Sequence, residues 1–173
     1  MKFSSAVSLG VCGTLLFASV AAAQRPAPST PDTPADDTVA VAIALQAGGG
    51  SIRFSGQATC TYEPKGYIYT VPAQQWHVAQ SDPTRNVSLT LWRQADGAGD
   101  MFTLYLKSGS KAYKASTVKT KDGGSPEGSG EVTFAKAGAG GTFTVNATTA
   151  NGTKVSGTVS CGGFRAAFAE GGH

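Results

Sequence analysis

Side chains capable of acid–base or nucleophilic chemistry are scarce in this chain. Such catalysis needs a histidine, a pair of carboxylates or a reactive cysteine placed beside a base. Of the two histidines, His173 is the last residue, and the alternating pattern around Trp76 and Val78 turns His77 towards solvent. We therefore predict no catalytic residue, and a hydrolase is the most remote of the functions considered.

The sequence indicates neither a metal site nor a cofactor site. It lacks the His-x-His pairs, clustered cysteines and Asp-rich loops that bind zinc or calcium. Asp96 and Asp100 flank a predicted turn, and turn formation is enough to explain them. Residues 48–50 are three glycines that precede neither a lysine nor a helix, which argues against a phosphate-binding loop.

The first 23 residues have the features of an export signal. Lys2 is positively charged, residues 9–20 are apolar but too few to span a bilayer, and three alanines precede Gln24. We therefore expect residues 1–23 to be removed and the mature protein to work in the periplasm or outside the cell, including the surface of a membrane. No later apolar run is long enough for a transmembrane helix.

Residues 24–37 have the composition of a tether. They hold four of the chain's eight prolines and almost no apolar side chains, so a disordered or polyproline-like segment is expected. The folded domain should then occupy residues 38–164, followed by a flexible tail at 165–173. Without Lys2, Lys and Arg fall from 14 to 13 against 11 Asp and Glu, and this near balance predicts no nucleic-acid partner.

From Thr38 onward the apolar residues recur at every second position, which is the period of β-strands. Glycine-rich turns separate these segments, and the chain contains 23 glycines. We therefore predict an all-β fold, an antiparallel β-sandwich or partly open barrel of about 8–10 strands with hairpins and a carboxyl-terminal meander. The clearest alternating positions are Val39, Val41, Ile43, Leu45, Ile52, Phe54, Ala58, Cys60 and Tyr62.

One hairpin can be paired residue by residue around Asp96-Gly97. These two residues are a favoured type I′ turn, in which both central positions need φ above zero. A turn there places apolar residues opposite one another on one face and mixed side chains on the other. The predicted apolar pairs are Leu91–Phe102, Leu89–Leu104 and Val87–Leu106, and those of the other face are Trp92–Met101, Thr90–Thr103 and Ser88–Tyr105.

The carboxyl-terminal meander contains two predicted turns. A two-residue turn at 138–139 closes the first, but a two-residue turn at Asn151-Gly152 would put Val155 and Val159 on the wrong face. We therefore predict a three-residue loop there, with Gly152 in the left-handed conformation as a bulge. The resulting pairs are Phe134–Phe143, Val132–Val145, Phe143–Val159 and Ala147–Val155.

Two cysteines remain if Cys12 is removed with the signal. Cys60 and Cys161 both lie on the apolar faces of their predicted strands, so both should point into the core. Because an exported protein folds under oxidising conditions, we predict a disulfide between them. Two unpaired buried thiols are the alternative.

Four features follow one another in this chain: a proline-rich tether, a small β domain, a first cysteine at the end of Ser55–Cys60, and a second at the end of Val155–Cys161. This order resembles the mycobacterial lipoprotein antigens of the LpqH type. The lipid-attachment motif of that family is missing, because Cys12 lies inside the apolar stretch. The resemblance implies a surface or envelope β-protein with an adhesive or lipid-associated role, and it implies no catalytic residues.

The outer face of the Asp96-Gly97 hairpin is a candidate binding face. An outward tryptophan is costly unless something covers it. A second buried sheet face or a covering loop would explain it, and the alternative is a platform for a sugar ring or a partner protein. The residues of this face are Trp92, Met101, Tyr105, Thr90 and Thr103.

A run of lysines around Tyr113 is a second candidate surface. It contains no acidic residue before Asp122. Such lysines commonly protect an edge strand from aggregation, and the alternative is contact with an anionic envelope polymer, a lipid head group or an acidic partner. The basic patch consists of Lys107, Lys111, Lys114, Lys119 and Lys121.

The sequence thus predicts an exported, noncatalytic β-domain that binds or scaffolds a cell-envelope protein or glycan, including the role of a peripheral subunit of a membrane complex. The alternative is a carrier that holds a small apolar ligand or lipid in a barrel cavity of roughly 300 Å³ or more. The residues expected to line that cavity are Tyr67, Tyr69, Trp76 and Phe102.

Overall fold

The structure is a computed structural model that describes residues 38–119 and 125–167. The predicted signal (1–23), the predicted tether (24–37) and the end of the predicted tail (168–173) lie outside the described residues. Within the described ranges the chain forms β-strands and no helix. The strands are β1 (Thr38–Ala47), β2 (Gly50–Ile68), β3 (Val71–Ser81), β4 (Arg85–Gln94), β5 (Asp100–Ser108), β6 (Lys111–Ser116), β7 (Gly128–Ala137), β8 (Gly140–Thr149), β9 (Lys154–Cys161) and β10 (Arg165–Ala166).

The long strands form one antiparallel sheet in the order β6-β5-β4-β3-β2-β1-β9-β8-β7. The two end strands, β6 and β7, contact each other but share no ladder, so the sheet is nearly closed into a barrel. This confirms the all-β antiparallel prediction and selects the partly open barrel over the sandwich. The cause is β1, which pairs with both β2 and β9 and thereby joins the first hairpins and the meander into one sheet.

The predicted registers of the hairpin and the meander are confirmed. The loop at Asn151-Gly152 has the expected left-handed glycine, because φ of Gly152 is 82°. Two-residue periodicity together with apolar-on-apolar matching is therefore enough to fix these pairings. The observed pairs include Leu89–Leu104, Trp92–Met101, Phe134–Phe143 and Ala147–Val155.

The predicted type I′ turn at Asp96-Gly97 is wrong. Gly97 has a φ of 75°, but Asp96 is not among the described residues with positive φ, as that turn requires. The β4–β5 ladder ends at the Arg93–Asp100 pair. Beyond it, a wider loop is held by the Asp96 carboxylate, whose Oδ1 accepts the amide of Ala98 at 3.0 Å. Side-chain capping of the loop replaces the tight turn.

The barrel interior is filled by the inward side chains of every strand from β1 to β9. The predicted disulfide is confirmed: Cys60 on β2 is bonded to Cys161 on β9, across 101 residues of sequence, with the Cα atoms 6.4 Å apart. The largest fully buried side chains are Phe102, Phe143, Leu45, Leu89, Leu91, Leu104 and Leu106.

The first residues of the predicted flexible tail belong to the sheet instead. Strand β10 pairs in parallel with Thr61 and Tyr62 of β2, and the amide of Ala167 donates to the Tyr62 carbonyl at 3.2 Å. Pairing there is available because β1 begins only opposite Thr59, which leaves the next part of β2 without its antiparallel neighbour. The chain continues past β9, and β10 pairs with this free edge of β2.

The barrel has two distinct ends. At the end called here the open end, β4, β7 and β9 finish and β8 begins. At the opposite end, the far end, β6 begins and residues 48–49 connect β1 to β2. Tyr113 lies against Gly48 at the far end, where a Cβ on that glycine would come within 2.7 Å of the tyrosine hydroxyl. Residues 38–119 and 125–167 contain no helix that is long and apolar enough to cross a membrane.

Candidate functional site

A cavity of about 450 Å³ lies at the open end of the barrel. Its volume falls within the range of small-molecule sites in proteins. Aromatic rings form much of its wall, and residues 138–140 form one rim. The side chains that line it, besides that rim, belong to Tyr62, Gln74, Trp76, Arg93, Phe134, Lys136 and Phe164.

The aromatic rings of the wall contact one another in an unbroken series. Trp76 stacks on Tyr62 with ring centroids 5.1 Å apart and lies tilted against Phe134 at 5.0 Å. Phe164 meets Phe134 edge-on at 5.6 Å and Phe143 at 6.1 Å. Offset and edge-on pairs of this kind stabilise aromatic clusters beyond simple burial. The wall therefore contains an ordered cluster of aromatic rings.

Strand register explains how four of these rings come together. Tyr62 of β2 is the direct partner of Trp76 of β3, and Phe134 of β7 is the direct partner of Phe143 of β8. Direct antiparallel partners point to the same face of a sheet. Gly141 makes room for the Phe134 ring, because a Cβ at that position would overlap it.

Phe164 reaches the cavity from the segment between β9 and β10. On one side of it, Cys161 is fixed by the disulfide. On the other side, Arg165 pairs with Thr61 of β2. The amide of Phe164 also donates to the carbonyl of Ala139 at 3.2 Å. The short connection is thus held at both ends and in the middle, which fixes the ring over the cavity.

Two cationic side chains border the aromatic wall. Arg93 lies over the Trp76 ring with Cζ 5.4 Å from its centroid, and its Nη2 and Nε donate to the Asp100 carboxylate at 2.8 and 3.1 Å. These hydrogen bonds raise the pKa of Arg93 above its ordinary value, so the guanidinium stays charged. Lys136 is exposed, and no described residue forms an ion pair or hydrogen bond with its ammonium group.

The function of this cavity cannot be inferred from similarity to known proteins. No family model, curated protein or solved structure matches the chain. Within residues 38–119 and 125–167, no three His, Cys, Asp or Glu side chains form a group that could hold a metal ion. The chemistry of the site is therefore inferred from its own side chains.

The structure places only one of the four predicted cavity residues in the cavity wall, namely Trp76. Phe102 is a core residue with 1% of its surface exposed. Tyr67 and Tyr69 lie at the end of the β2–β3 hairpin and are 68% and 45% exposed. A bulge between Glu63 and Gly66 shifts the register there, so strand periodicity could not locate these two rings.

The other cavity residues were not predicted to form a site. Signals for two of them were present: Tyr62 belongs to the alternating apolar face of β2, and Phe134 belongs to a predicted pair. Phe164 carried no signal, because its position depends on the path of the chain after the disulfide. The charged pair Arg93–Asp100 was within reach of the sequence, because the predicted register that pairs Trp92 with Met101 also pairs Arg93 with Asp100. Asp100 was instead explained by turn formation.

The predicted aromatic face lies on the outer wall of the barrel. Trp92 and Met101 are half-buried, Thr90 is buried, and Tyr105 is 38% exposed. The indole Nε1 of Trp92 donates to Oε1 of Gln75 at 2.8 Å. Trp92 is thus anchored on its neighbouring strand, and the exposed ring of this face is Tyr105.

His77 also lies on the outer wall. It pairs with Thr90 across β3 and β4, and its Nδ1 is 2.9 Å from the threonine Oγ1. The ring points away from the core, as predicted, but it is half-buried rather than free in solvent. Burial lowers the pKa of His77 below its ordinary value, because a charged imidazolium loses hydration there.

The predicted basic patch is divided by the structure. Lys107 and Lys114 lie on the outer wall, where Lys114 pairs with Tyr105 across β5 and β6 and forms an ion pair with Glu127. Lys111 lies at the far end, and the carbonyl of Lys119 accepts the hydroxyl of Tyr69 at 2.7 Å. Lys121 is outside the described residues. The aromatic face and part of the basic patch are therefore neighbours.

Proposed function

We propose that this protein is an exported, noncatalytic binding domain that takes a small ring-bearing molecule in the cavity at the open end of its barrel. The observation that carries the proposal is the continuous wall of four aromatic rings around about 450 Å³ of space. Apolar, aromatic walls with a few polar groups are the usual construction of small-molecule sites. The proposal favours the carrier interpretation, with a different set of lining residues.

The compartment is part of the same proposal. The signal-like residues 1–23 predict export, and the disulfide between Cys60 and Cys161 is of the kind that persists in an oxidising compartment. A small molecule held in an exported protein would be one that is captured from, or delivered to, the cell envelope or its surroundings. The resemblance to envelope lipoprotein antigens points in the same direction and stays a prediction.

Fluorescence of Trp76 tests the cavity directly. The chain has two tryptophans, so a Trp92→Phe variant leaves Trp76 as the only indole emitter. Titration with the neutral probe N-phenyl-naphthylamine should quench Trp76 in a saturable way, because Trp76 is part of the wall that the bound probe would contact. Mass spectrometry of an organic extract of the protein from its native source should identify a bound ring-bearing compound.

Two further variants in the same background act as a test and a control. Phe164→Ala removes one wall ring and should weaken probe binding about tenfold or more. Tyr105→Ser removes a ring on the outer wall and should leave probe binding unchanged. Equal effects of both variants, or no saturable quenching in any of them, would contradict a site at the open end.

A second candidate function is attachment to an envelope protein or glycan through the outer wall. The specific observation in its favour is that the exposed ring of Tyr105 lies directly beside Lys114 and next to Lys107 on the same wall. Lys114 is already paired with Glu127. The Tyr105 ring can stack on a sugar or a partner side chain while the charge of Lys107 attracts an acidic group. This continues the prediction of a scaffold role.

Co-sedimentation with purified cell-envelope fractions tests the second candidate. Tyr105→Ser combined with Lys107→Gln should reduce co-sedimentation, and added salt should reduce that of the wild type, because exposed charges are screened. Lys111→Gln, at the far end, is the matched control and should behave like the wild type. Association that ignores all of these changes would rule out the outer wall.

A further inference from the structure

We infer that the ligand of the cavity is anionic. It is a flat or ring-containing molecule with one carboxylate, sulfate or phosphate group, and that group forms an ion pair with Lys136. This inference rests on the proposed function and names its ligand class. It follows from the positively charged side chains around the cavity, because only one of them forms an ion pair with a described carboxylate.

Of the two cationic side chains at the cavity, one has an anionic partner and the other has none among the described residues. Arg93 is already compensated, since it shares its charge with Asp100 in a two-pronged ion pair. Lys136 has no such partner among the described residues. No carboxylate of residues 38–119 or 125–167 lines the cavity. One positive charge is therefore left over beside the aromatic wall, and an anionic group on the ligand would compensate it.

The same arrangement disfavours a cationic ligand. Aromatic walls can attract cations through their ring faces, but here Arg93 already occupies the Trp76 face at 5.4 Å. A second cation would face both Arg93 and Lys136, and none of the described residues that line the cavity is a carboxylate that could offset the repulsion. The rings are thus left to bind the apolar body of a ligand, and Lys136 is left to bind its charge.

A pair of dyes with the same rings separates the two contributions. Anilinonaphthalene sulfonate and N-phenyl-naphthylamine share their ring system and differ by the anionic sulfonate. We expect wild-type protein to bind the sulfonate more tightly. Lys136→Gln should weaken binding of the sulfonate by about three- to tenfold, the effect of one exposed charge-assisted contact, and should leave the neutral dye unchanged. Lys136→Glu should weaken the sulfonate further.

The control is Lys111→Gln, which removes an exposed lysine at the far end and should change neither dye. Thioflavin T, a cationic aromatic dye, should bind most weakly of the three. Equal affinity for the two related dyes with no effect of Lys136→Gln, or tightest binding of thioflavin T, would overturn the anionic ligand class while leaving the cavity itself in place. Failure of Phe164→Ala to affect any dye would instead contradict the proposed function.

Discussion

Trp92 and Gln75 are joined by a hydrogen bond of 2.8 Å between the indole Nε1 and the amide Oε1 across β3 and β4. The two residues are also direct register partners. The sequence predicted an outward tryptophan without a partner. In the structure the indole N–H of Trp92 has a hydrogen-bond acceptor. The strength of this hydrogen bond can be measured separately from the packing of the ring.

We predict a coupling free energy of about 0.5–1.5 kcal/mol between these two side chains, the usual net value of a hydrogen bond. A double-mutant cycle of Trp92→Phe and Gln75→Ala, read by denaturant unfolding, measures it. Trp92→Phe keeps an aromatic six-membered ring but removes the indole Nε1–H, and it should lower the free energy of unfolding by about 1 kcal/mol. Strict additivity of the two variants would show that the bond contributes nothing.

The disulfide should support both the fold and the cavity. Cys161→Ser is expected to lower the free energy of unfolding by about 2–5 kcal/mol, because the reduced chain regains loop entropy when unfolded. The same variant should weaken binding of the neutral dye, because it removes one of the anchors of the segment that holds Phe164. Chemical denaturation and dye titration are the measurements.

The double variant Cys60→Ser with Cys161→Ser is the control for a stray thiol. It should match the single variant in both measurements if the lost bond is the cause. A folded, nonreduced protein with two titratable thiols would contradict the disulfide outright.

His77 should make stability depend on pH. The unfolded imidazole takes up a proton near its ordinary pKa of 6.5, whereas burial lowers the folded pKa. The unfolded state therefore binds more protons between those two values, and stability should fall as pH drops below about 6.5. In His77→Gln this part of the pH dependence should vanish.

Thermal unfolding of the wild type and of His77→Gln between about pH 5 and pH 8 measures this pH dependence, because that range spans the ordinary histidine pKa of about 6.5. Identical profiles for the wild type and His77→Gln would mean that the buried imidazole does not titrate differently on folding.

Gly157 should tolerate no side chain. It pairs with Leu45 of β1, its φ is 137°, and a Cβ there would overlap the carbonyl oxygen of Ala44. Gly157→Ala should lower the free energy of unfolding by about 2 kcal/mol or more. Gly97→Ala, with φ of 75° but open space around it, should cost only about 1 kcal/mol. Equal losses would show that the backbone angle alone matters.

Local strand pairing was predictable because period-two alternation leaves one register that buries both strands. Leu89 and Leu104 illustrate this, since a shift by one residue would expose both. The choice between sandwich and barrel was not predictable. It depends on β1 pairing with β9, where Val41 lies opposite Cys161, and no turn links such distant segments.

The candidate site was largely hidden for a similar reason. Tyr62, Phe134 and Phe164 come from three separate parts of the chain and meet only after the sheet curves. Trp76 was placed correctly because its inward parity is a local property of β3. The tyrosines of the β2–β3 hairpin were misplaced, because Tyr69 and Thr70 form an unusual turn with positive φ.

The gap between β6 and β7 means that the circumference of the barrel is not fixed by a closed ring of strand ladders. In a fully closed barrel, strand number and stagger fix the diameter, but no ladder joins these two strands among the described residues. Within that part of the chain, the Lys114–Glu127 ion pair and the packing of Gly128 against Ala115 bridge the gap. Phe134 and Lys136 both lie on β7, which pairs with β8 along its length. A joint movement of β7 and β8 away from β6 would widen the cavity and keep the β7–β8 ladder intact. Compliance of this kind would let one site accommodate ligands of different bulk.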